Sequence, residues 1–198
     1  MNWQGITVGY AVTGSHCTLR EVMPQIHRFV EAGANVVPVV SQSILTTDTR
    51  FGTAEQWKRE LREATGNEII DSIVDAEPLG PSKRFDLLVI APCTGNTTSK
   101  LANAITDGPV LMAAKAQMRN GRPIVLAIST NDGLGLNAAN IAKLLVTKHI
   151  YFVPFGQDNP QAKPNSLVAR MDLLLETCEA ALQGKQIQPM LIERFRYN

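Results

Sequence analysis

The feature that most restricts the fold of this chain is a continuous apolar run that leads directly into a turn and a helix. Leu87–Ala91 shows no alternation of polar and apolar residues, which is typical of a strand buried on both faces of a parallel sheet. Pro92 has no N–H for strand pairing, so we expect the strand to stop there. A polar cluster then opens an apolar-periodic segment with Leu101 and Ile105. Residues 86–107 therefore predict a strand, a tight turn and a helix.

Along the whole chain, short apolar runs typical of strands take turns with segments whose apolar residues recur at helical spacing. Further strands are predicted at 6–12, 35–40, 123–128 and 150–154, with a short one at 69–74. Helices are predicted at 18–32, 53–64, 109–119, 136–146 and 166–182. A polar stretch at 41–53 and a Pro/Gly stretch at 78–82 are expected to be loops. Strands that alternate with helices favour right-handed crossovers, so the predicted fold is a single doubly wound parallel sheet, a flavodoxin/Rossmann-like three-layer sandwich.

The length of the chain favours one domain. A sequence of 198 residues can bury one good core and is too short for two ordinary domains. We therefore expect a single domain over 1–198, with a C-terminal helix at about 166–183 and a short tail at 184–198. We find neither internal repeats nor low-complexity segments.

Composition excludes several classes of function. The net charge is +1 and the basic residues are spread along the chain, so neither a nucleic-acid groove nor a membrane surface is expected. No apolar run reaches the ~18 residues of a membrane span, and no secretory signal is expected at the start. The three cysteines, Cys17, Cys93 and Cys178, are odd in number and far apart, which favours a reducing cytoplasm over a disulfide framework. No metal site is predicted.

Polar loops follow four of the predicted strands, where ligands bind in open parallel sheets. They cover 13–18, 41–43, 93–98 and 129–133. The first loop lacks the full G-x-G-x-x-G spacing of a dinucleotide site. Hydroxyl and amide groups without clustered Lys or Arg suit a single phosphate, which is what FMN carries. FMN is therefore the predicted cofactor.

Each of these loops also has a purely structural interpretation. The free N–H groups at the predicted helix start after Pro92 could hold a phosphate or carboxylate, but Thr94 or Asn96 could simply cap that helix. Ser15 and Ser41 could likewise be ordinary turn residues.

His16 is the main candidate for a catalytic residue. A loop histidine beside a phosphate could donate to an anion or move a proton, or it could be a surface residue without a role. Cys17 could be reactive at a helix start, or a small residue that fills the turn. Cys93 is expected to pack under the turn and Cys178 to lie in the core. His27 and His149 are interpreted as structural.

The turn after the central strand carries a family resemblance. Pro92-Cys93-Thr94-Gly95-Asn96-Thr97, followed by Lys100-Leu101-Ala102-Asn103 and Asp107, resembles the Pro-Ala-Ser-Ala-Asn-Thr signature of the flavoprotein family of homo-oligomeric flavin-containing cysteine decarboxylases. The resemblance runs from Gly5 to about Leu182 and includes the Pro-Phe-Gly-Gln-Asp-Asn-Pro stretch near residue 157.

The resemblance implies a set of cofactor contacts. The Gly14-Ser15 loop and Thr97 would contact the flavin phosphate, and Asn96 would lie near the ring or ribityl chain. His16 stands where the family places a residue close to the ring, and is the catalytic candidate. The complete set of implied flavin-site residues is Gly14, Ser15, His16, Ser41, Thr94, Asn96, Thr97, Ser129 and Asn131.

Two departures from the family pattern bear on the reaction. The decarboxylases carry a histidine before the signature strand, whereas residues 73–78 contain none. Their Pro-Met-Asn segment is replaced here by residues 129–133. Decarboxylation of cysteine peptides or phosphopantothenoylcysteine is therefore disfavoured. Flavin prenyltransferases need several basic groups, for which Lys163 and Arg170 are candidates, although ion-pair or solvated roles suit both equally.

Within this family the chain is similar to an oxidoreductase subunit from the mother-cell cytoplasm of sporulating bacteria. The resemblance implies FMN here, a small dicarboxylate substrate, and NADP on the partner subunit. It also implies a homo-oligomer, trimer-based, with residues 42–53 as a flap near an interface. The alternatives are a stand-alone FMN-dependent decarboxylase or flavin prenyltransferase, and a non-catalytic assembly subunit.

Overall fold

A seven-stranded sheet organises the protein in a computed structural model that describes residues 1–193. The strands are β1 (Thr7–Val12), β2 (Asn35–Val40), β3 (Leu87–Cys93), β4 (Ile124–Thr130), β5 (Ile150–Phe152), β6 (Phe155–Gln157) and β7 (Leu167–Ala169). Their order is β2-β1-β3-β4-β7-β6, and β5 pairs with β4.

The parallel part of the sheet has the order β2-β1-β3-β4-β5, which is that of flavodoxin-like folds. The predicted doubly wound α/β architecture is thereby confirmed. The sheet differs from the expected one in its last strands, because β7 pairs antiparallel with β4 and with β6. This is possible because β5 covers only Ile124–Leu126 and leaves Ser129 and Thr130 at the end of β4 available to β7.

Helices cover both faces of the sheet. They are α1 (Leu19–Glu31), α2 (Gln42–Thr46), α3 (Ala54–Thr65), α4 (Ile73–Ala76), α5 (Leu79–Ser82), α6 (Gly95–Ala102), α7 (Pro109–Arg119), α8 (Asn137–Leu145) and α9 (Leu174–Leu182). Short 3-10 turns precede α1 at His16–Thr18 and α9 at Met171–Leu173. Of the helices formed by residues 1–193, none combines the length and apolar character required to cross a membrane.

The core lies between the central strands and the helices. Every residue of β3 is buried, as its unbroken apolar sequence predicts for a strand covered on both faces. Under α1, the ring of Tyr10 packs edge-on against Phe29, which packs in the same way against Trp3. The Tyr10 hydroxyl donates to the carbonyl of Val22 at 3.3 Å, and so a buried polar group keeps a partner.

Strand β3 does not end at Pro92, contrary to the prediction. It continues to Cys93, and the pairing with β4 shifts by one residue between Ile90 and Cys93. This bulge places Pro92 where the ladder requires no N–H, so the strand can pass through the proline.

Four segments differ from their predicted structure. Residues 69–74 form only a single bridge, between Ile70 and Val39, before α4 begins. The expected loops at 78–82 and 41–53 contain the short helices α5 and α2. The predicted helix at 166–182 is divided into β7, a 3-10 turn and α9, because the apolar residues 167–169 complete the sheet instead.

Candidate functional site

The loops after β1, β2 and β3 meet beyond the carboxyl ends of these strands, because parallel neighbours end at the same edge of the sheet. They enclose a cleft of about 480 Å³ together with the starts of α6 and α7. Its lining residues are Thr13, Gly14, Ser41, Gln42, Ser43, Thr94, Asn96, Thr97, Lys100, Asp107, Gly108, Pro109, Val110 and Leu111. Five of the residues predicted from the sequence are among them: Gly14, Ser41, Thr94, Asn96 and Thr97.

Gly14 allows the loops after β1 and β2 to pack closely. A Cβ atom at this position would lie 2.9 Å from the Cβ of Ser43 and still closer to its Oγ, which no real side chain tolerates. The Ser43 hydroxyl is itself hydrogen-bonded to that of Ser41 at 3.0 Å. The glycine therefore brings backbone and two hydroxyl groups together on one wall of the cleft.

Thr94 caps α6 and also lines the cleft. Its Oγ1 accepts from the N–H of Thr97 at 3.2 Å, and the two threonine hydroxyls are 3.0 Å apart. Its own N–H donates to Oγ1 of Thr13. The capping interpretation of Thr94 is thus confirmed, while the N–H groups of Gly95 and Asn96 in the same turn have no partner within the helix. Asn96 is exposed and lines the cleft.

A triangle of hydroxyl groups lies next to the cleft, where α1 meets the end of β4. Ser15 is hydrogen-bonded to Ser129 at 2.9 Å and to Thr18 at 3.0 Å, and Thr18 to Ser129 at 2.8 Å. Ser15 and Ser129, which are 114 residues apart in the chain, are therefore in direct contact. Each hydroxyl both donates and accepts, so the triangle satisfies buried polar groups without any charge.

His16 lies on the 3-10 turn that follows Gly14. Among the described residues its buried Nδ1 atom finds no hydrogen-bond partner, and Nε2 would be 3.7 Å from a Cβ at Gly14. Desolvation by burial lowers the pKa of the ring from its ordinary value of 6.5, so the imidazole is neutral at pH 7. A neutral ring with an unpaired nitrogen can exchange a proton with a ligand.

The predicted flavin contact Asn131 and the two candidate anion contacts, Lys163 and Arg170, are not among the residues that line the cleft. Asn131 is exposed at the end of β4, and its assignment as a flavin contact stays a prediction. Lys163 pairs with Asp158 at 3.5 Å, and Arg170 donates twice to Asp172, at 2.8 and 2.6 Å. For Lys163 and Arg170 the structure shows the ion-pair alternative.

Cys93 and Cys178 occupy the buried environments expected for them. Cys17 is exposed, whereas Cys93 and Cys178 are buried. Burial raises the pKa of the Cys93 thiol to about 12, although a hydrogen bond with Thr98 opposes the shift, so this thiol is protonated at neutral pH. Within residues 1–193 no group of three or more His, Cys, Asp or Glu side chains could hold a metal ion.

Sequence reasoning missed one wall of the cleft. Gly108–Leu111, at the start of α7, forms this wall, and Lys100 and Asp107 lie beside it. The helix predicted at 109–119 is confirmed as α7, and Pro109 stands at its first position, where proline is common. Nothing in that local pattern indicates that the start of α7 faces the start of α6 across a cleft.

The cleft defines a class of protein. Hydroxyl groups, free N–H groups at helix starts and a neutral histidine converge at the carboxyl edge of a flavodoxin-like sheet, which suits a ligand with a single small anionic group. The sequence profile of the Flavoprotein family matches residues 2–183. The chain belongs to the Flavoprotein family.

Relatives and solved structures agree with this assignment. The chain is 56% identical over 195 residues to the B subunit of dipicolinate synthase from Bacillus subtilis (strain 168), covering 98% of each chain. It is similar to the crystal structure of the dipicolinate synthase B subunit from Bacillus halodurans C, with 60% identity, a TM-score of 0.91 and coverage of 98% and 100%. The FMN binding protein AtHal3 shares the fold, with 21% identity, a TM-score of 0.63 and coverage of 89% and 96%.

Proposed function

We propose that this chain binds FMN in the cleft and acts as the flavin-binding subunit of a dipicolinate synthase. In this proposal it works in the mother cell of a sporulating bacterium with a partner equivalent to the A subunit of dipicolinate synthase, which carries NADP. The complex would oxidise a dihydrodipicolinate-type intermediate to pyridine-2,6-dicarboxylate. The observation that carries the proposal is a hydroxyl-lined cleft at the carboxyl edge of a Flavoprotein-family sheet, in a chain 56% identical to the B subunit of a dipicolinate synthase.

The residues of the cleft fit a flavin mononucleotide. We assign the phosphate to the Gly14-Ser15 turn and the start of α6, where the Thr97 hydroxyl and the free N–H groups of Gly95 and Asn96 can hold one phosphate without a cluster of basic residues. Ser41 and Asn96 would contact the rest of the cofactor. Ser129 would act through Ser15, to which it is hydrogen-bonded. The orphaned Nδ1 of His16 is a polar atom that a bound group could satisfy.

The chain's own side chains could contribute binding and proton transfer. Aromatisation of a dihydropyridine removes a hydride and a proton, and FMN or NADP supplies the hydride-accepting chemistry when bound. His16, neutral at pH 7, is the side chain we assign to accept the proton. Residues 73–78 form α4 and the turn after it and contain no histidine, so we do not propose decarboxylation.

We further propose that the protein is a homo-oligomer, trimer-based, with residues 42–53 near an interface. This segment contains α2 and the Thr49–Gly52 bridge, borders the cleft through Gln42 and Ser43, and is largely polar. Light scattering with FMN present should report a mass that is a multiple of three protomers. A monomer at working concentration would contradict the proposal.

The flavin site is tested by titrating FMN against wild-type protein and two matched Thr→Val variants. Thr97→Val removes a hydroxyl from the cleft, and Thr147→Val removes one that donates to a carbonyl at the end of α8. Loss of a hydrogen bond to a charged phosphate costs ~1.5–3 kcal/mol, so Thr97→Val should weaken FMN binding by roughly 10- to 150-fold. Thr147→Val should bind FMN like the wild type.

Fluorescence quenching with saturable stoichiometry is the readout. Saturable NAD binding with no FMN binding by the wild type would refute the cofactor assignment. Equal affinity of both variants would remove Thr97 from the site but leave the cofactor assignment standing. The colour and absorbance of the purified protein separate a flavin-binding subunit from a cofactor-free assembly subunit.

A further inference from the structure

The charged side chains that line the cleft lie together on one wall. They are Lys100 and Asp107, whose ammonium and carboxylate groups are 2.5 Å apart. Lys100 follows Asn96 by four residues on α6, so both side chains project from the same face of that helix. The ion pair is partly solvated, since the side chains are 29% and 50% exposed. The Lys100 ammonium group is therefore accessible from the cleft and is not buried in the core.

The wall beside Lys100 combines apolar surface with free N–H groups. Pro109, Val110 and Leu111 form the first turn of α7, and all three line the cleft. Gly108 at the N-cap has no side chain that could accept a hydrogen bond from the N–H groups of this turn, and Pro109 has no N–H. The N–H groups of Val110 and Leu111 thus remain for an external acceptor. An apolar ring with a carboxylate group matches this combination of surfaces.

We propose that Lys100, assisted by the first turn of α7, binds a carboxylate of the substrate, and that Asp107 holds the ammonium group when no substrate is bound. The inference rests on the proposed function and specifies the substrate class as a small planar dicarboxylate. The flavin phosphate is not the assigned ligand of Lys100, because the Gly14-Ser15 turn and Thr97 supply its donors. Exposed ion pairs contribute little stability, so the lysine can exchange one carboxylate partner for another.

If Lys100 exchanges Asp107 for a substrate carboxylate, substitutions of the two residues should change dicarboxylate affinity in opposite directions. Removing the cation should weaken dicarboxylate binding, whereas neutralising its competitor should strengthen it. The Lys58–Glu55 pair on α3 provides a matched control, because it is also a lysine–carboxylate pair and does not line the cleft. The variants are Lys100→Met and Asp107→Asn, compared with Lys58→Met and Glu55→Gln.

The experiment measures binding of pyridine-2,6-dicarboxylate and of pyridine-2-carboxylate by calorimetry, with and without FMN. We expect Lys100→Met to lose at least about tenfold in dicarboxylate affinity and most of its preference for the dicarboxylate over the monocarboxylate. Lys100→Arg should retain part of that preference. Asp107→Asn should bind the dicarboxylate more tightly, and both α3 variants should match the wild type. FMN affinity should stay within about twofold of the wild type in every variant.

The outcomes separate this inference from the proposed function. A wild type that binds FMN but not the dicarboxylate, or a Lys100→Met variant with unchanged dicarboxylate preference, overturns the subsite and leaves the flavin site intact. A parallel loss of FMN affinity in Lys100→Met would assign the lysine to the cofactor and also overturn it. If the wild type fails to bind FMN, the proposed function fails, and the titration without FMN still decides whether Lys100 selects the dicarboxylate.

Discussion

At the scale of single residues, the cleft and its border contain hydroxyl groups whose partners are other hydroxyl groups. Thr94 pairs with Thr97 at 3.0 Å, and Ser15 pairs with both Thr18 and Ser129. A hydroxyl both donates and accepts, so it can rotate from a neighbouring hydroxyl to a ligand oxygen without leaving a buried group unpaired. The hydroxyl groups of such a site therefore have hydrogen-bond partners both before and after a ligand binds. Clustered lysines could not pair with one another in this way, because an ammonium group only donates.

His16 should make stability depend on pH in a defined direction. Its pKa is lowered in the folded protein by desolvation, so the unfolded chain binds the proton more readily. Stability contributed by the neutral ring is present above the unfolded pKa of 6.5 and is lost as the pH falls below it. His16→Gln should therefore lose less stability than the wild type between about pH 7.5 and about pH 5.

Urea unfolding at the two pH values measures this difference. His27→Gln is the matched control, because His27 is exposed on α1 and lies outside the cleft. It should follow the wild-type pH dependence. If His16→Gln and the wild type lose the same free energy of unfolding on acidification, the ring does not titrate as the structure indicates.

At the scale of elements, local patterns predicted the structures that depend on local causes. The strand predicted at 35–40 and the helix predicted at 109–119 have the observed bounds, Asn35–Val40 for β2 and Pro109–Arg119 for α7. The segment 167–169 was misassigned because its apolar residues fit a helical stripe equally well. It becomes a strand because the backbone of Ser129 and Thr130, at the end of β4, is available to pair with it. That pairing depends on the tertiary structure and cannot be inferred from the local sequence.

The candidate site was predictable to a similar degree. Polar residues after parallel strands must meet at one edge, and for that reason Gly14, Ser41 and Thr97 could be brought together from the sequence. The wall at Gly108–Leu111 could not be, because its position depends on how α7 lies against α6. Asn131 is close to the sheet edge in sequence, yet it is exposed and absent from the lining.

The start of α6 depends on the absence of a side chain at Gly95. A Cβ there would lie 2.7 Å from Oδ1 of Asp132, 2.8 Å from Nδ2 of Asn137 and closer still to the hydroxyl of Thr130. The Thr130 hydroxyl and the Asn137 amide both donate to the Asp132 carboxylate, so none of the three side chains can move alone. Gly95→Ala should lower the free energy of unfolding by ~1–3 kcal/mol through overpacking and should weaken FMN binding.

Gly80→Ala on α5 serves as the comparison. A Cβ at Gly80 would have ordinary contacts at 3.8 and 3.9 Å, so its effect should stay within about 0.5 kcal/mol. Chemical denaturation gives both values. A Gly95→Ala protein as stable as Gly80→Ala would show that the loop at 130–137 shifts freely.

At the scale of the whole molecule, contacts distant in sequence join the N-terminal segment and α1 to α9. Trp3 donates through Nε1 to Glu179 at 3.1 Å, and Arg28 of α1 donates to Glu176 at 2.7 Å. Such contacts link the N-terminal part of the chain to its last helix. They support our proposal that residues 1–198 fold as one domain.

The single-domain proposal predicts one unfolding transition. The sequence contains two tryptophans, Trp3 beside α9 and Trp57 on α3, and both are buried. Trp3→Phe and Trp57→Phe each leave one fluorescent reporter, at different places in the molecule. In each variant the fluorescence transition should coincide with that of circular dichroism, as cooperative domains show. Separated transitions within one variant would indicate independently folding parts.

The proposed complex predicts dipicolinate formation at a higher rate than the partner provides alone. We expect this chain to release no carbon dioxide from cysteine-derived acids, because residues 73–78 lack the histidine of the decarboxylases. Added to the pyridine-nucleotide-binding partner with NADP and fresh dihydrodipicolinate, it should raise the rate of dipicolinate formation, followed by ultraviolet absorbance. His16→Ala and Asn96→Ala should both reduce this stimulation while leaving circular dichroism unchanged, because Asn96 lines the cleft, His16 lies in the turn after Gly14, and neither belongs to the core. A partner that is equally fast without this chain would contradict the synthase proposal and favour an assembly role. Release of carbon dioxide by this chain alone would favour a decarboxylase instead, so the two assays together decide among the three functions.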